Sequence, residues 1–113
     1  MSMNPNLRAA WRRELDEATA LEKDGAWRCA FVHLERAHIL GQRHTVAHAH
    51  VHLRMLRNGW KQGNAHEVLG QVMRTLGALA KTLVWVPLGN TGGANVNPLK
   101  PMPIPADLKP YLD

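Results

Sequence analysis

Cysteine and serine are almost absent from this 113-residue chain, and each scarcity excludes a class of chemistry. The single cysteine, Cys29, cannot close an internal disulfide and is too little thiol for a thiolate zinc site or an iron–sulfur cluster. We therefore expect a reducing compartment and a cytoplasmic protein, in which Cys29 is a small buried apolar residue. The only serine, Ser2, lies at the start of the chain, so a Ser–His–Asp hydrolase has no credible nucleophile.

Long apolar runs and blocks of like charge are also missing. No window approaches the roughly 18 apolar residues of a membrane span, and no apolar stretch follows the basic residues near the N-terminus as in a signal peptide. The formal net charge is +5, but the basic residues stand singly or in pairs such as Arg12-Arg13, mixed with acidic ones. Since few aromatic side chains are available to stack on bases, we expect neither a nucleic-acid partner nor a membrane partner.

Proline is nearly absent from the first three quarters of the chain, because six of the seven prolines follow residue 86. That distribution permits long helices before residue 86 and discourages them afterwards. Apolar residues recur there at three- and four-residue spacing, which predicts helices over about residues 6–23, 26–40, 44–58 and 65–83. Glycines mark the predicted helix ends, and Asn64 is the expected N-cap of the fourth helix.

Short connections make consecutive helices antiparallel neighbours. The expected fold is all-α, either a four-helix up-down bundle or two packed tetratricopeptide-like helix hairpins, in one domain over residues 1–113. A loose repeat of spacing from Gly25 and from Gly63 favours hairpins but falls short of the three units that repeat arrays need. An extended Gly- and Pro-rich tail over residues 87–113 keeps apolar residues such as Leu108 and Tyr111, so we expect it to lie across the helices.

The histidines are clustered in the sequence, and six of the seven lie between residues 33 and 52. Helical spacing puts Glu35 beside His38 on the second helix, and His48 beside His52 on the third. Counting outward from each turn brings six candidate ligands within about two helical turns of one level, roughly 10 Å of axial height. They are Glu14, Glu17, Glu35, His38, His48 and His52.

Imidazoles and carboxylates that converge from three helices are typical of a transition-metal site. We predict that Glu35, His38, His48 and His52 bind iron, zinc or copper, with Glu14 or Glu17 completing the set. The set exceeds the needs of one tetrahedral ion, so two metals are an open alternative. His50 projects to the opposite side of its helix and is expected to be solvated.

Two rival interpretations use other parts of the sequence. A helical-hairpin interaction module would bind a protein partner or a second copy through its Trp and Met residues and its proline-rich tail, with the histidines incidental. A ligand pocket roofed by residues 89–93 would depend on Asn90. No substrate pocket is evident, so enzymatic activity stays open, with the balance against it.

Several motifs together resemble a bacterial family catalogued as domain of unknown function 3703. They are His33-Leu-Glu-Arg-Ala-His38-Ile-Leu-Gly-Gln42, His48 and His52, Glu67 with Gly70-Gln71, the stretch 87–93, and Pro101-Met-Pro-Ile-Pro105. The resemblance implies a small protein complete in one domain, with Glu35, His38, His48 and His52 in the recurrent pattern. Glu67 and Gln71 look like part of that pattern, but the level count puts Glu67 beside Gly59, and fastening the Gly-rich tail is the alternative role for both.

Overall fold

In the computed structural model the described residues are 3–79, 91–93 and 101–112. They form four helices, α1 (Pro5–Lys23), α2 (Trp27–Gly41), α3 (Thr45–Gln62) and α4 (Ala65–Leu79), and a 3₁₀ turn over Lys109–Tyr111. No strand occurs within these residues, and the all-α prediction is confirmed. The predicted last turn of the fourth helix, residues 80–83, lies outside the described residues.

Local sequence sets the helix boundaries. The Asn4 side chain accepts a hydrogen bond from the Leu7 N–H at 2.9 Å and so caps α1, as Asn64 does for α4 by accepting from the Glu67 N–H at 3.0 Å. Helix α3 extends past its predicted end near residue 58 and stops where Gly63 adopts a φ of 70°. Glycine enters this left-handed conformation at little cost, which makes Gly63 the terminating residue.

The helices pack in chain order, α1 against α2, α2 against α3 and α3 against α4. Since α1 and α4 make no extensive contact among the described residues, the arrangement is two adjacent helix hairpins rather than a closed four-helix bundle. Three fully buried alanines, Ala18, Ala30 and Ala37, let the α1 and α2 backbones approach closely, and Leu34 and Met55 fill the centre of the core.

The expectation that Cys29 is buried is wrong, because this residue is exposed. The buried face of α2 runs through Ala30, Leu34 and Ala37. Cys29 lies about 100° around the helix from Ala30, which turns its thiol away from the core.

Helix α4 has its polar side inward and its apolar side outward. Glu67, Gln71 and Thr75, one turn apart, are buried against the rest of the molecule. Leu69 and Met73 on the other side are 66% and 65% exposed. The regular apolar spacing predicted this helix correctly but did not indicate which face the fold would cover.

The described part of the tail lies across α1 and α2, as predicted. Leu108 is 2% exposed and belongs to the core. The Arg36 guanidinium on α2 donates to the Asp107 carboxylate, and Arg13 on α1 donates to the Tyr111 hydroxyl at 3.2 Å. Among the residues described, none of the helices combines the length and the apolar character that crossing a membrane requires.

Candidate metal centre

Three buried histidines meet between α2 and α3. His38 lies in the last turn of α2, and His48 and His52 lie one turn apart on α3, which puts their side chains on one face. The antiparallel packing of the two helices turns that face toward His38. The three residues are only 3%, 6% and 2% exposed, so the cluster is shielded from solvent.

The imidazole rings point their Nε2 atoms toward one another. His48 Nε2 lies 2.9 Å from His38 Nε2 and 3.0 Å from His52 Nε2, and one nitrogen from each ring lies within 4.8 Å of the other two. The rings are inclined by 50° to 69° and do not stack. Nitrogens bound tetrahedrally to zinc at about 2.05 Å would be about 3.3 Å apart, so a separation of this size is close to that of a metal site.

Gln71 on α4 fixes the protonation of His52. The His52 Nδ1 atom lies 2.6 Å from Gln71 Oε1, an oxygen that can only accept, so Nδ1 carries the hydrogen and donates it. The neutral ring then has its lone pair on Nε2, directed at the other histidines. Burial lowers the pKa of His52 to about 4 against the opposing effect of its hydrogen bond to Gln71, while the charge of Arg74 lowers it further.

The Gln71 amide is itself oriented by two acceptors. Its Nε2 donates to Glu67 Oε2 at 2.6 Å and to the Gly92 carbonyl at 2.8 Å. Since both N–H groups are used, the amide oxygen must be the atom that faces His52. A chain of hydrogen bonds from Gly92 and Glu67 through Gln71 therefore sets which His52 nitrogen is available to a metal.

Gly92 covers the cluster from the tail side. Its φ is 83°, and a Cβ built on it would lie 2.5 Å from His38 Cδ2. Both the conformation and the contact restrict this position to glycine. Gly92 and Gly93 are buried, which closes the histidines off from water on this side. Asn90, on which the ligand-pocket interpretation depended, lies outside the described residues.

Glu35 lies one turn before His38 but lines a separate hollow together with Glu67. Burial raises the pKa of its carboxyl, and the charge of Glu67 raises it further. Among the described residues the cluster of possible ligands contains His38, His48 and His52 and no carboxylate. The assignment of Glu35 as a ligand stays a prediction.

The structure does not bring Glu14 or Glu17 to the histidines. Glu14 accepts hydrogen bonds from His33 Nδ1 at 2.8 Å and from Arg36 Nε at 2.7 Å, and Glu17 is exposed. The reason is the face that α3 turns to α1, which carries His50 and Arg54 rather than the metal candidates.

Contacts between α1 and α3 identify that face directly. The His50 ring lies 5.6 Å from that of Trp11, and Arg54 donates to Glu22 at 2.9 Å. His50 is exposed, as predicted. Residues 50 and 54 are about 200° around the helix from 48 and 52. The level count therefore compared heights along the helices correctly but did not identify which face of α3 contacts α1.

Sequence reasoning missed Gln71 and Gly92 as partners of the histidines. The level count correctly put Glu67 beside Gly59, since a Cβ on Gly59 would lie 3.1 Å from Glu67 Cγ. It did not consider that Gln71, one turn further along α4, could span the remaining distance with its long side chain. The proposed fastening of the tail by Gln71 is confirmed by its bond to Gly92.

The fold and the site define a class of protein, a helical-hairpin domain with a buried histidine cluster that could hold a metal ion. The chain belongs to a family of proteins of unknown function, DUF3703, whose model matches residues 5–112. Neither a curated protein nor a solved structure matches this chain.

Proposed function

We propose that this protein binds one transition-metal ion through the imidazoles of His38, His48 and His52, and that it buffers, delivers or senses that metal. The main support is the convergence of three buried Nε2 atoms over contacts of 2.9 and 3.0 Å. The bond from His52 to Gln71 adds to it, because it directs a lone pair at the place that a cation would occupy.

Hydrogen bonds between neutral imidazoles do not account for both short Nε2 contacts of His48. Since His52 Nε2 is an acceptor, His48 Nε2 must carry the hydrogen that lies between them. A nitrogen carrying that hydrogen cannot also accept one from His38 Nε2, which lies 2.9 Å away on its other side. A single cation would instead accept a lone pair from each Nε2, with the hydrogen of every ring on its Nδ1 atom.

The donor set selects the class of metal. Three neutral imidazoles suit zinc, copper or iron, whereas calcium and magnesium prefer oxygen ligands. Two-metal centres in helical bundles rely on bridging carboxylates, and the cluster of described residues has none, which favours one ion. Glu35 is not in this cluster and could complete the coordination only by turning from its present position, and Glu14 and Glu17 are not included in the proposal.

The closed environment favours holding a metal over catalysis. Three histidines would leave one position of a tetrahedral ion to a small ligand such as water, as in some catalytic sites, but a catalytic site also needs access for its substrate. Here the three histidines are almost fully buried, and Gly92 lies against the His38 ring.

The test is metal content in the untagged protein and in matched histidine variants. After incubation with zinc, copper or iron and desalting, elemental analysis and native mass spectrometry should give about one ion per chain. The double variant His48→Ala/His52→Ala should lose it. His50→Ala removes the same side chain from the same helix, on the face toward α1, and should retain the full complement.

Two results would overturn the proposal. One is a wild-type protein that retains none of the three metals after desalting. The other is metal lost equally from His50→Ala and from the double variant, which would assign binding to nonspecific surface histidines. Circular dichroism on each variant separates loss of the site from loss of the fold.

A further inference from the structure

The outward face of α4 is an uncovered apolar surface, here called the α4 stripe and defined by Leu69, Val72, Met73 and Leu76. These residues recur at the three- and four-residue spacing of one helix face and are 66%, 40%, 65% and 60% exposed. Trp60 at the end of α3, 73% exposed, extends the surface. Beside it, Trp60, Val68 and Leu69 help to line an apolar hollow of about 410 Å³.

The helix cannot bury this stripe by rolling on α3. Gln71 on the opposite face is held to the rest of the molecule by hydrogen bonds to His52 on α3 and to the Gly92 carbonyl. A rotation large enough to bring Leu69 and Met73 inward would break these two bonds and expose polar groups that are now satisfied. The apolar surface is therefore fixed in its outward orientation.

Other described parts of the chain lie elsewhere. Gly92 packs on His38, and the 101–112 segment lies on α1 and α2 through Leu108, Arg36 and Arg13. Helix α4 forms the end of the helix array, since its extensive packing is with α3 alone among the described elements. The outer helix of such an array normally turns a polar face outward, whereas the outward face of α4 is apolar.

We propose that a second copy of this chain covers the α4 stripe, so that the protein is a two-fold symmetric dimer with α4 packed against α4 of the partner copy. The area supports this occupant. The exposed residues present on the order of 600 Å² of apolar surface, near the roughly 800 Å² that each partner buries in a standard interface. A two-fold axis joins identical surfaces, so no second kind of patch is required.

Charge also favours a second copy over an oppositely charged partner. The stripe contains no ionisable residue, so nothing in it repels an identical stripe or selects an acidic or basic surface. The net charge of +5 is spread over the rest of the chain and is screened beyond about 8 Å at physiological salt.

The experiment is the molar mass of the full-length protein in solution, by sedimentation equilibrium and light scattering from micromolar to hundreds of micromolar. We expect a dimer, both with added zinc and with a chelator. Met73→Glu should weaken self-association roughly 100-fold, because a buried charge replaces a central apolar contact. Val46→Glu makes the same change at a residue that is 83% exposed but lies beside Trp11 and His50, and should leave the dimer intact.

A cysteine at the stripe gives an independent readout. In a Cys29→Ser background, which removes the native exposed thiol, Met73→Cys should form an intermolecular disulfide on mild oxidation, and a cysteine at Val46 should not. A monomeric wild type across the whole concentration range would overturn the proposal and assign the stripe to residues 80–90 or to another protein. A dimer that survives Met73→Glu would overturn it as well, since another surface would then form the interface.

Discussion

A single amide on α4 decides how the histidine cluster can act. Gln71 supplies the acceptor for His52 Nδ1–H, and its own orientation is set by Glu67 and Gly92. Groups that orient a metal-binding histidine affect affinity although they do not touch the ion. The role of Gln71 can therefore be separated from that of the ligands.

Gln71→Leu should lower metal affinity by roughly 10- to 100-fold, because the His52 ring loses the group that holds its Nε2 lone pair inward. The measurement is a competition titration against a chromophoric chelator. Thr75→Val is the matched control, since Thr75 is buried one turn later on the same face of α4. An unchanged metal affinity in a folded Gln71→Leu variant would mean that Gln71 only holds the tail through its hydrogen bond to Gly92.

Gly92 and Gly63 offer a matched pair for the contact with His38. Their φ angles are 83° and 70°, yet a Cβ on Gly63 would meet nothing within 4 Å, whereas one on Gly92 would meet His38 at 2.5 Å. Gly63→Ala should cost about 1 kcal/mol of unfolding free energy for backbone strain alone. Gly92→Ala should cost about 2 to 4 kcal/mol, because overpacking is added to that strain.

Urea unfolding measures both costs, and metal titration distinguishes their origin. Only Gly92→Ala should also weaken metal binding, since only it displaces a ligand ring. Equal losses of stability in the two variants would mean that the backbone around Gly92 shifts to make room for the added methyl group without displacing the His38 ring.

The sequence could predict the histidines but not the residues that orient them. Spacing of three or four places His48 beside His52 whatever the tertiary structure, and burial of both follows from their helix face. Gln71 and Gly92 depend on the distance between α3 and α4 and on the path of the tail. The helix distance and the tail path are both set by tertiary packing, which the spacing of apolar residues does not predict.

At the scale of whole elements, the axial register was predictable and the rotation of the helices was not. The level count correctly related Glu67 to Gly59. It grouped Glu14 with the histidines although α3 turns the face of His50 and Arg54 toward α1. Helices α1 and α3 each have mixed apolar and polar borders, so the hydrophobic pattern alone does not determine which face of α3 contacts α1.

The tail is held to α2 by an ion pair that should respond to acid. Arg36 donates to Asp107 and also to Glu14, and the hydrogen bond from Arg36 holds the pKa of Asp107 below its ordinary value of 3.8. Because the pKa of Asp107 is lower in the folded protein than in the unfolded chain, the ionised carboxylate stabilises the fold at any pH above its pKa in the unfolded chain. This stabilisation is lost as the pH falls through the lower pKa of the folded protein, so attachment of the tail should weaken only below about pH 4.

Asp107→Asn should bring that weakening to neutral pH, with faster hydrogen exchange across residues 101–112. The effect should shrink at high salt, because Asp107 is exposed and the pair is screened. Asp16→Asn removes the same charge from the exposed side of α1 and should leave exchange in the tail unchanged. Faster exchange in both variants would indicate a general effect of net charge instead of the Arg36 contact.

At the scale of the whole molecule, α4 separates two surfaces that the proposals assign to different tasks. Its polar face reaches the histidine cluster through Gln71, and its apolar face is the α4 stripe. The all-α class and the tendency toward hairpins followed from helix spacing and short turns. The exposed apolar face of α4 could not be predicted in the same way, because its apolar spacing equally fits a helix that the rest of its own chain covers.

Thermal unfolding should resolve the two surfaces, because ligand binding and dimerisation raise the midpoint through different concentrations. Zinc at about 100 times its dissociation constant should stabilise the wild type by about 2.7 kcal/mol, a rise on the order of 10 °C. The midpoint should also rise with protein concentration. Met73→Glu should lose the dependence on protein concentration and keep the rise with zinc, whereas His48→Ala/His52→Ala should do the reverse. If either variant lost both responses while its helical content was unchanged, the two faces of α4 would be energetically coupled, and metal loading and self-association would then be one equilibrium.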